Sequence, residues 1–143
     1  MVSKERISRY LAKIDHATTR AAVIRRWLSE GPAADETMYY LALAKAAQEL
    51  VEESLDLLSM MLRDVKSLPV DDYSNIENGV MLGLLTSKNA STLREAKGLR
   101  NHLVHLYNGV DIQRLRESLE RLLPRLVDYT EDVGGWTAKH FRE

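Results

Sequence analysis

LALAKAAQELVEESLDLLSMML, residues 41–62, is the stretch on which the fold turns. Taken with its flanks, it places Tyr39, Leu43, Ala46, Leu50, Leu57, Met61 and Val65 at intervals of three, four and seven, the spacing that puts apolar side chains on one face of an α-helix. Asp35 stands where an N-cap belongs, because its carboxylate can accept a free amide of the first turn. The pattern holds for close to 30 residues, until Ser67 to Asp72, where Pro69 and two acids interrupt it. A single stripe of that length needs other helices to bury it.

The neighbouring segments supply them. Upstream, Ser3 can cap a helix whose apolar side runs through Ile7, Tyr10, Ile14, Ala17, Ala21, Ile24 and Leu28 and stops at Gly31-Pro32. Downstream, Ser74 and Glu77 have the spacing of a capping box, predicting a short third helix to about Leu85. A fourth is expected from about Asn89 through Arg100 to Tyr107, with Asn108-Gly109 as its left-handed end. Asp111 then caps a fifth. Pro124 would remove the bond to the Glu120 carbonyl at a cost of ~3 kcal/mol, so a kink or an early end near Arg121 is expected. Beyond it, Gly134 to Glu143 shows no amphipathic repeat, and residues 131–143 are expected to be a tail free to flex or to dock through Trp136 and Phe141. The chain is therefore expected to be all-α, an up-and-down bundle of about five helices in one domain spanning 1–143.

Composition agrees. In 143 residues there are 7 Gly, 3 Pro and no Cys, which favours helices and excludes a disulfide scaffold, a Cys-ligated zinc module and a cysteine nucleophile. A chain this long buries roughly 68–70% of its unfolded surface and needs no covalent staple. No uncharged stretch exceeds ten residues. A membrane span needs about 20 mostly apolar residues and a signal peptide needs an apolar segment behind a basic start, so the expectation is a soluble cytoplasmic protein without a membrane partner. Net charge is −1, but unevenly spread. Residues 1–34 carry +4, 35–78 carry −7, 79–126 carry +4 and 127–143 carry −2. Basic ends that fold together can make a positive surface, and solvated helix faces explain the same numbers equally well.

Candidate chemistry is densest in Arg100-Asn101-His102-Leu103-Val104-His105-Leu106-Tyr107. At about 100° per residue, Asn101 and His105 share a face, whereas Arg100 and His105 diverge by about 140°. One straight helix cannot aim both at a single atom by backbone direction alone. Either the arginine reaches around or a second copy of the chain completes the site. A metal site is not expected, since His102 and His105 lack the i, i+4 spacing and a third ligand with motif spacing. On its own, such a pair is more often a capping or hydrogen-bonding pair near a helix end than a catalytic one.

The run Leu99 to Asp111, LRNHLVHLYNGVD, resembles the signature of the HepT toxins of the HEPN superfamily: Arg, four residues, His, one residue, Tyr. Arg100, His105 and Tyr107 occupy those positions, and Val51-Glu52-Glu53-Ser54-Leu55-Asp56 resembles the family's Ile-Glu-x-x-x-Asp stretch. The likeness extends from Ser3 to about Tyr129 in the same helix order. Leu106, where many relatives are polar, and Pro124 depart from it. The resemblance implies a HEPN-like homodimer whose motif helices meet across a two-fold axis, with both copies of Arg100 and His105 in one cleft. It implies a ribonuclease toxin of a HepT/MNT toxin–antitoxin system, type II or type VII, cutting RNA without a metal or other cofactor. Asn101 and Glu52 are expected to support the catalytic pair. The implied partner, in what would be a larger hetero-oligomer, is a minimal nucleotidyltransferase antitoxin that neutralises the toxin by AMPylation of Tyr107. The alternative is a catalytically weak binding module that serves this nucleotidyltransferase as partner and AMP acceptor.

Overall fold

The computed structural model describes residues 2–32, 35–104 and 112–142. All regular structure among them is helical: α1 (Val2–Glu30), α2 (Glu36–Asp64), α3 (Asp72–Met81), α4 (Ser87–Val104) and α5 (Ile112–His140). Three of the five are 29 residues long. The all-α, five-helix expectation holds.

The expected apolar stripes of α1 and α2 form the core. Tyr10, Ala17, Ala21 and Ile24 of α1 are buried against Leu43, Ala46, Leu50, Leu57 and Met61 of α2 and against Leu119, Leu122, Leu126 and Tyr129 of α5. Paired side chains show the chain direction. Arg20–Glu49 and Lys13–Asp56 join α1 to α2 in antiparallel register. Lys88–Asp128 and Arg125–Glu95 do the same for α4 and α5. α1 and α5 are also antiparallel, with Arg116 donating to the Leu28 carbonyl near one end and Trp136 against Tyr10 at the other. Tyr129, fully buried, donates to the Ser54 carbonyl and ties α5 to the middle of α2.

Asp35 caps α2 as expected, accepting from the Met38 amide. Other boundaries need correction. The cap of α3 is Asp71, whose Oδ1 accepts from the Ser74 amide and Oδ2 from the Ser74 hydroxyl. Ser74 is therefore inside the helix, and the capping box with Glu77 is not formed; an ionised carboxylate is a stronger acceptor for these free donors than a hydroxyl. α3 ends at Met81 rather than Leu85, and α4 starts two residues before the expected Asn89, with the Thr86 hydroxyl accepting from the Asn89 amide. α5 neither stops near Arg121 nor at Gly134-Gly135. Pro124 and Glu120 are both on the exposed face, where water can satisfy the freed carbonyl. Residues 131–140 continue the helix, bringing Trp136 within 5.9 Å and Phe141 within 6.0 Å of the Tyr10 ring. The Asn108-Gly109 end and the Asp111 cap lie outside the described residues.

Candidate active site

The motif begins on the last turn and a half of α4, a helix held between two partners. On one side Glu95 accepts from Arg121 (2.7 Å) and Arg125 (2.6 Å), and Arg125 also donates to the Thr92 hydroxyl. Partial burial acts to raise the Glu95 pKa, but the hydrogen bonds and charges of the two arginines outweigh it and hold the carboxyl below its usual range. On the other side Lys97 pairs with Asp72 of α3 at 2.8 Å. These contacts fix the rotation of α4 about its axis. Nothing in the linear sequence singled out Glu95, although the Arg121/Arg125 spacing of four places two guanidiniums on one face of α5.

That rotation turns Arg100 toward α2. Its Nη2 and Nε both lie near one oxygen of Glu52, at 3.1 and 3.4 Å. The arginine side chain is 31% exposed and the carboxylate 49%, so the pair is worth only ~0.2–1 kcal/mol of stability. Its effect is on direction: the long Arg100 side chain has a preferred orientation, and the guanidinium keeps other N–H donors for a second anion. The geometry makes Glu52 an anchor for the Arg100 guanidinium.

Asn101 is half-buried on the next face of α4, and its side chain has no hydrogen-bond partner among the described residues. His102 is exposed. Leu103 is 6% exposed and packs into its own chain's core, so it is not available to a contact between two copies. His105 and Tyr107 lie outside the described residues, so Arg100, Asn101 and Glu52 are the positions whose placement is defined.

Glu52 has a neighbour of opposite character. Glu53 points at α1, where burial pushes its carboxyl pKa up and His16, Arg20 and Lys13 only partly offset that. Its Oε2 and the Arg20 Nε are buried without hydrogen-bond partners. The acid with chemical reach is therefore Glu52, and the acid beside it is an internal one.

Comparison with known proteins identifies the family. The family model "Ribonuclease HepT-like" matches residues 7–133. A protein of Archaeoglobus fulgidus named "Putative RNase" is 32% identical over 131 residues, covering 90% of this chain and 95% of that one. A Methanocaldococcus jannaschii protein whose name also reads "Putative RNase" is 26% identical over 84 residues, 59% of this chain and 92% of its own. A match spanning all five helices, with Arg100 held by the acid of the second helix, leaves one conclusion: the chain belongs to the HepT-like ribonuclease family, of the HEPN type.

Proposed function

We propose that this protein is the ribonuclease toxin of a type II or type VII toxin–antitoxin pair, cleaving RNA without a metal through Arg100 and His105. The observation that carries it is the Arg100–Glu52 contact, which orients a guanidinium at the motif and leaves donors for a phosphoryl oxygen. RNA brings its own nucleophile. In the proposed reaction a neutral His105 imidazole takes the 2′-hydroxyl proton, the 2′-oxygen bonds to phosphorus, and the bond to the 5′-oxygen breaks. A second, protonated imidazole returns a proton to the 5′-oxygen, giving a 2′,3′-cyclic phosphate and a 5′-hydroxyl end. An imidazole with an ordinary pKa of about 6.5 can serve in both roles near neutrality, and such help is worth ~10²–10⁴-fold. Charge growing on the non-bridging oxygens is met by Arg100, an aimed donor of the kind worth ~3–4 kcal/mol.

The approximately 140° between Arg100 and His105 on one helix is met by a homodimer in which each copy supplies part of the cleft. Asn101, sharing a face with His105, orients the imidazole or holds a phosphate. Tyr107 is assigned to regulation because a phenol with a pKa near 10 is a poor proton shuttle at neutral pH. AMP on its hydroxyl, attached by a nucleotidyltransferase antitoxin, would put bulk and negative charge where the RNA phosphate sits.

Arg100→Ala and His105→Ala are each expected to abolish RNA cleavage and growth inhibition while the helical circular dichroism signal is unchanged, and EDTA should have no effect. Tyr107→Phe is expected to stay active and to resist neutralisation by the nucleotidyltransferase with ATP, with AMP seen by intact-mass spectrometry on the native chain only. Cleavage that survives both alanine variants, or stops on chelation, would overturn the mechanism. AMP on the Phe variant would overturn the Tyr107 assignment.

A further inference from the structure

The ion pairs between α1 and α2 form an antiparallel ladder. Arg20 faces Glu49, Lys13 faces Asp56 and Arg6 faces Asp64, seven residues along α1 for seven or eight back along α2. At the Asp64 end the charge balance fails. Arg6, Arg9, Tyr10, Met60, Arg63 and Asp64 line a hollow of about 190 Å³ that contains three guanidiniums and one carboxylate. Asp64 is already engaged: its side chain is 8% exposed, pairs with Arg6 and accepts the Tyr10 hydroxyl at 2.5 Å. Burial pushes the Tyr10 pKa up to about 12, against the pull of Arg6, so the ring stays a neutral donor. Arg9 and Arg63 have no ion-pair partner among the described residues, and both are exposed. The carbonyls at the end of α2 would repel an anion, but those of Met61, Leu62 and Arg63 are taken by the amides of Val65, Ser67 and Lys66. The hollow is therefore left with a net charge of about +2 and a surplus of forked donors, the chemistry that holds a phosphate.

Size and position narrow the ligand. Pockets for whole small molecules measure ~300–1,000 Å³, so this one has room for a phosphoryl group rather than a complete nucleotide. Arg63 lies eleven residues after Glu52 on α2. At about 1.5 Å and 100° per residue this is ~16 Å along the helix and within about 20° of the same side. The cluster and the Arg100–Glu52 pair thus share one side of α2, ~16 Å apart, a distance spanned by about five nucleotides of a stacked strand at ~3.4 Å each. We propose that Arg6, Arg9 and Arg63 form a subsite for a backbone phosphate of single-stranded RNA whose scissile bond lies at Arg100, an inference that rests on the ribonuclease reading above. Affinity would then depend on substrate length, with the subsite acting on binding and not on the chemical step.

The test uses the full chain and an uncleavable 2′-O-methyl RNA of about 12 nucleotides, with binding read by fluorescence anisotropy across a salt series. Arg9→Ala/Arg63→Ala is expected to weaken binding about tenfold or more and to flatten the logarithmic salt dependence by ~0.7 for each phosphate that is no longer neutralised. Arg9→Lys/Arg63→Lys should recover part of both. Arg25→Ala/Arg26→Ala, which removes the same formal charge from the far end of α1, should not reproduce the loss. With cleavable RNA of that length the loss should fall on KM, and a substrate of about three nucleotides should show no such loss. Unchanged binding in the pocket variant, or an equal loss in the control variant, overturns the subsite. If inorganic phosphate or AMP binds there as tightly as the long RNA does, the site serves a small phosphate and the RNA assignment is wrong. If no RNA is cut by the native protein but the binding differences persist, the ribonuclease reading fails and the phosphate subsite stands.

Discussion

Glu52 and Glu53 are adjacent in sequence and face different helices, and their environments separate their roles. Glu52 reaches Arg100 on α4, half exposed, in a contact worth little stability and much orientation. Glu52→Gln is expected to keep the melting temperature and lower kcat for RNA cleavage about tenfold, with KM unchanged or lower because a released guanidinium binds phosphate without being aimed. A variant with native kcat would remove the positioning role. Glu53 has the reverse profile. Its folded-state pKa is raised above the unfolded value, so ionising it costs more in the folded chain; stability falls as pH rises from the unfolded pKa through the folded one and stays lower above that. Glu53→Gln should therefore raise stability at pH 7, lose that advantage in acid, and leave cleavage as it was. Denaturant melts at pH 4 and pH 7 check the sign.

At the scale of elements, α3 and its turn to α4 carry the tightest constraint. Gly79 sits in α3 where a methyl group would come within 2.8 Å of Leu85 Cδ1 and 3.1 Å of Leu58 Cδ1, while its carbonyl accepts the amides of both Leu84 and Leu85. In an exposed helix the change from glycine to alanine gains ~1 kcal/mol. Here overpacking of ~1–3 kcal/mol opposes it, so Gly79→Ala is expected to destabilise by up to ~2 kcal/mol, seen as a lower denaturant midpoint. A stabilised variant would mean that Leu85 moves aside freely. Helix order, the long α2 stripe and the Asp35 cap were legible because they depend on residues within a turn or two of each other. The Asp71 cap was missed because two adjacent acids and a downstream Ser/Glu pair all satisfy the same local rule, and only the formed turn selects among them. Pro124 and Gly134-Gly135 read as breaks because local propensity opposes helix there. Burial of Leu122, Leu123, Leu126, Val133 and Thr137 against the rest of the bundle supplies the opposing free energy.

For the whole molecule the decisive question is the number of copies in the cleft. Leu103 is spent in its own core, so the proposed dimer would need a seam built on other side chains, and it rests on the sequence spacing of Arg100 and His105 around a helix. Sedimentation at micromolar concentration is expected to show a dimer, and mixing Arg100→Ala with His105→Ala chains should restore part of the cleavage that neither has alone. A monomer that cuts RNA would refute the composite cleft. Among the described residues no helix is long and apolar enough to cross a membrane.

The sequence by itself determined the number and order of the helices, the faces buried by the first two and the Arg100-to-Tyr107 motif, since periodicity, caps and motif spacing are properties of neighbours along the chain. It also contained the uneven charge, basic at the first helix and acidic through the second. Which of those charges survive unpaired was decided only by the tertiary structure. Register between α1 and α2 neutralises Lys13 and Arg20 and leaves Arg9 and Arg63 free of ion-pair partners among the described residues, and the rotation of α4 sets Arg100 on Glu52 rather than in open solvent. Coulombic pairing falls off over a few ångströms, so a shift of one residue in helix register re-partners every charge while leaving the periodicity of each helix unchanged.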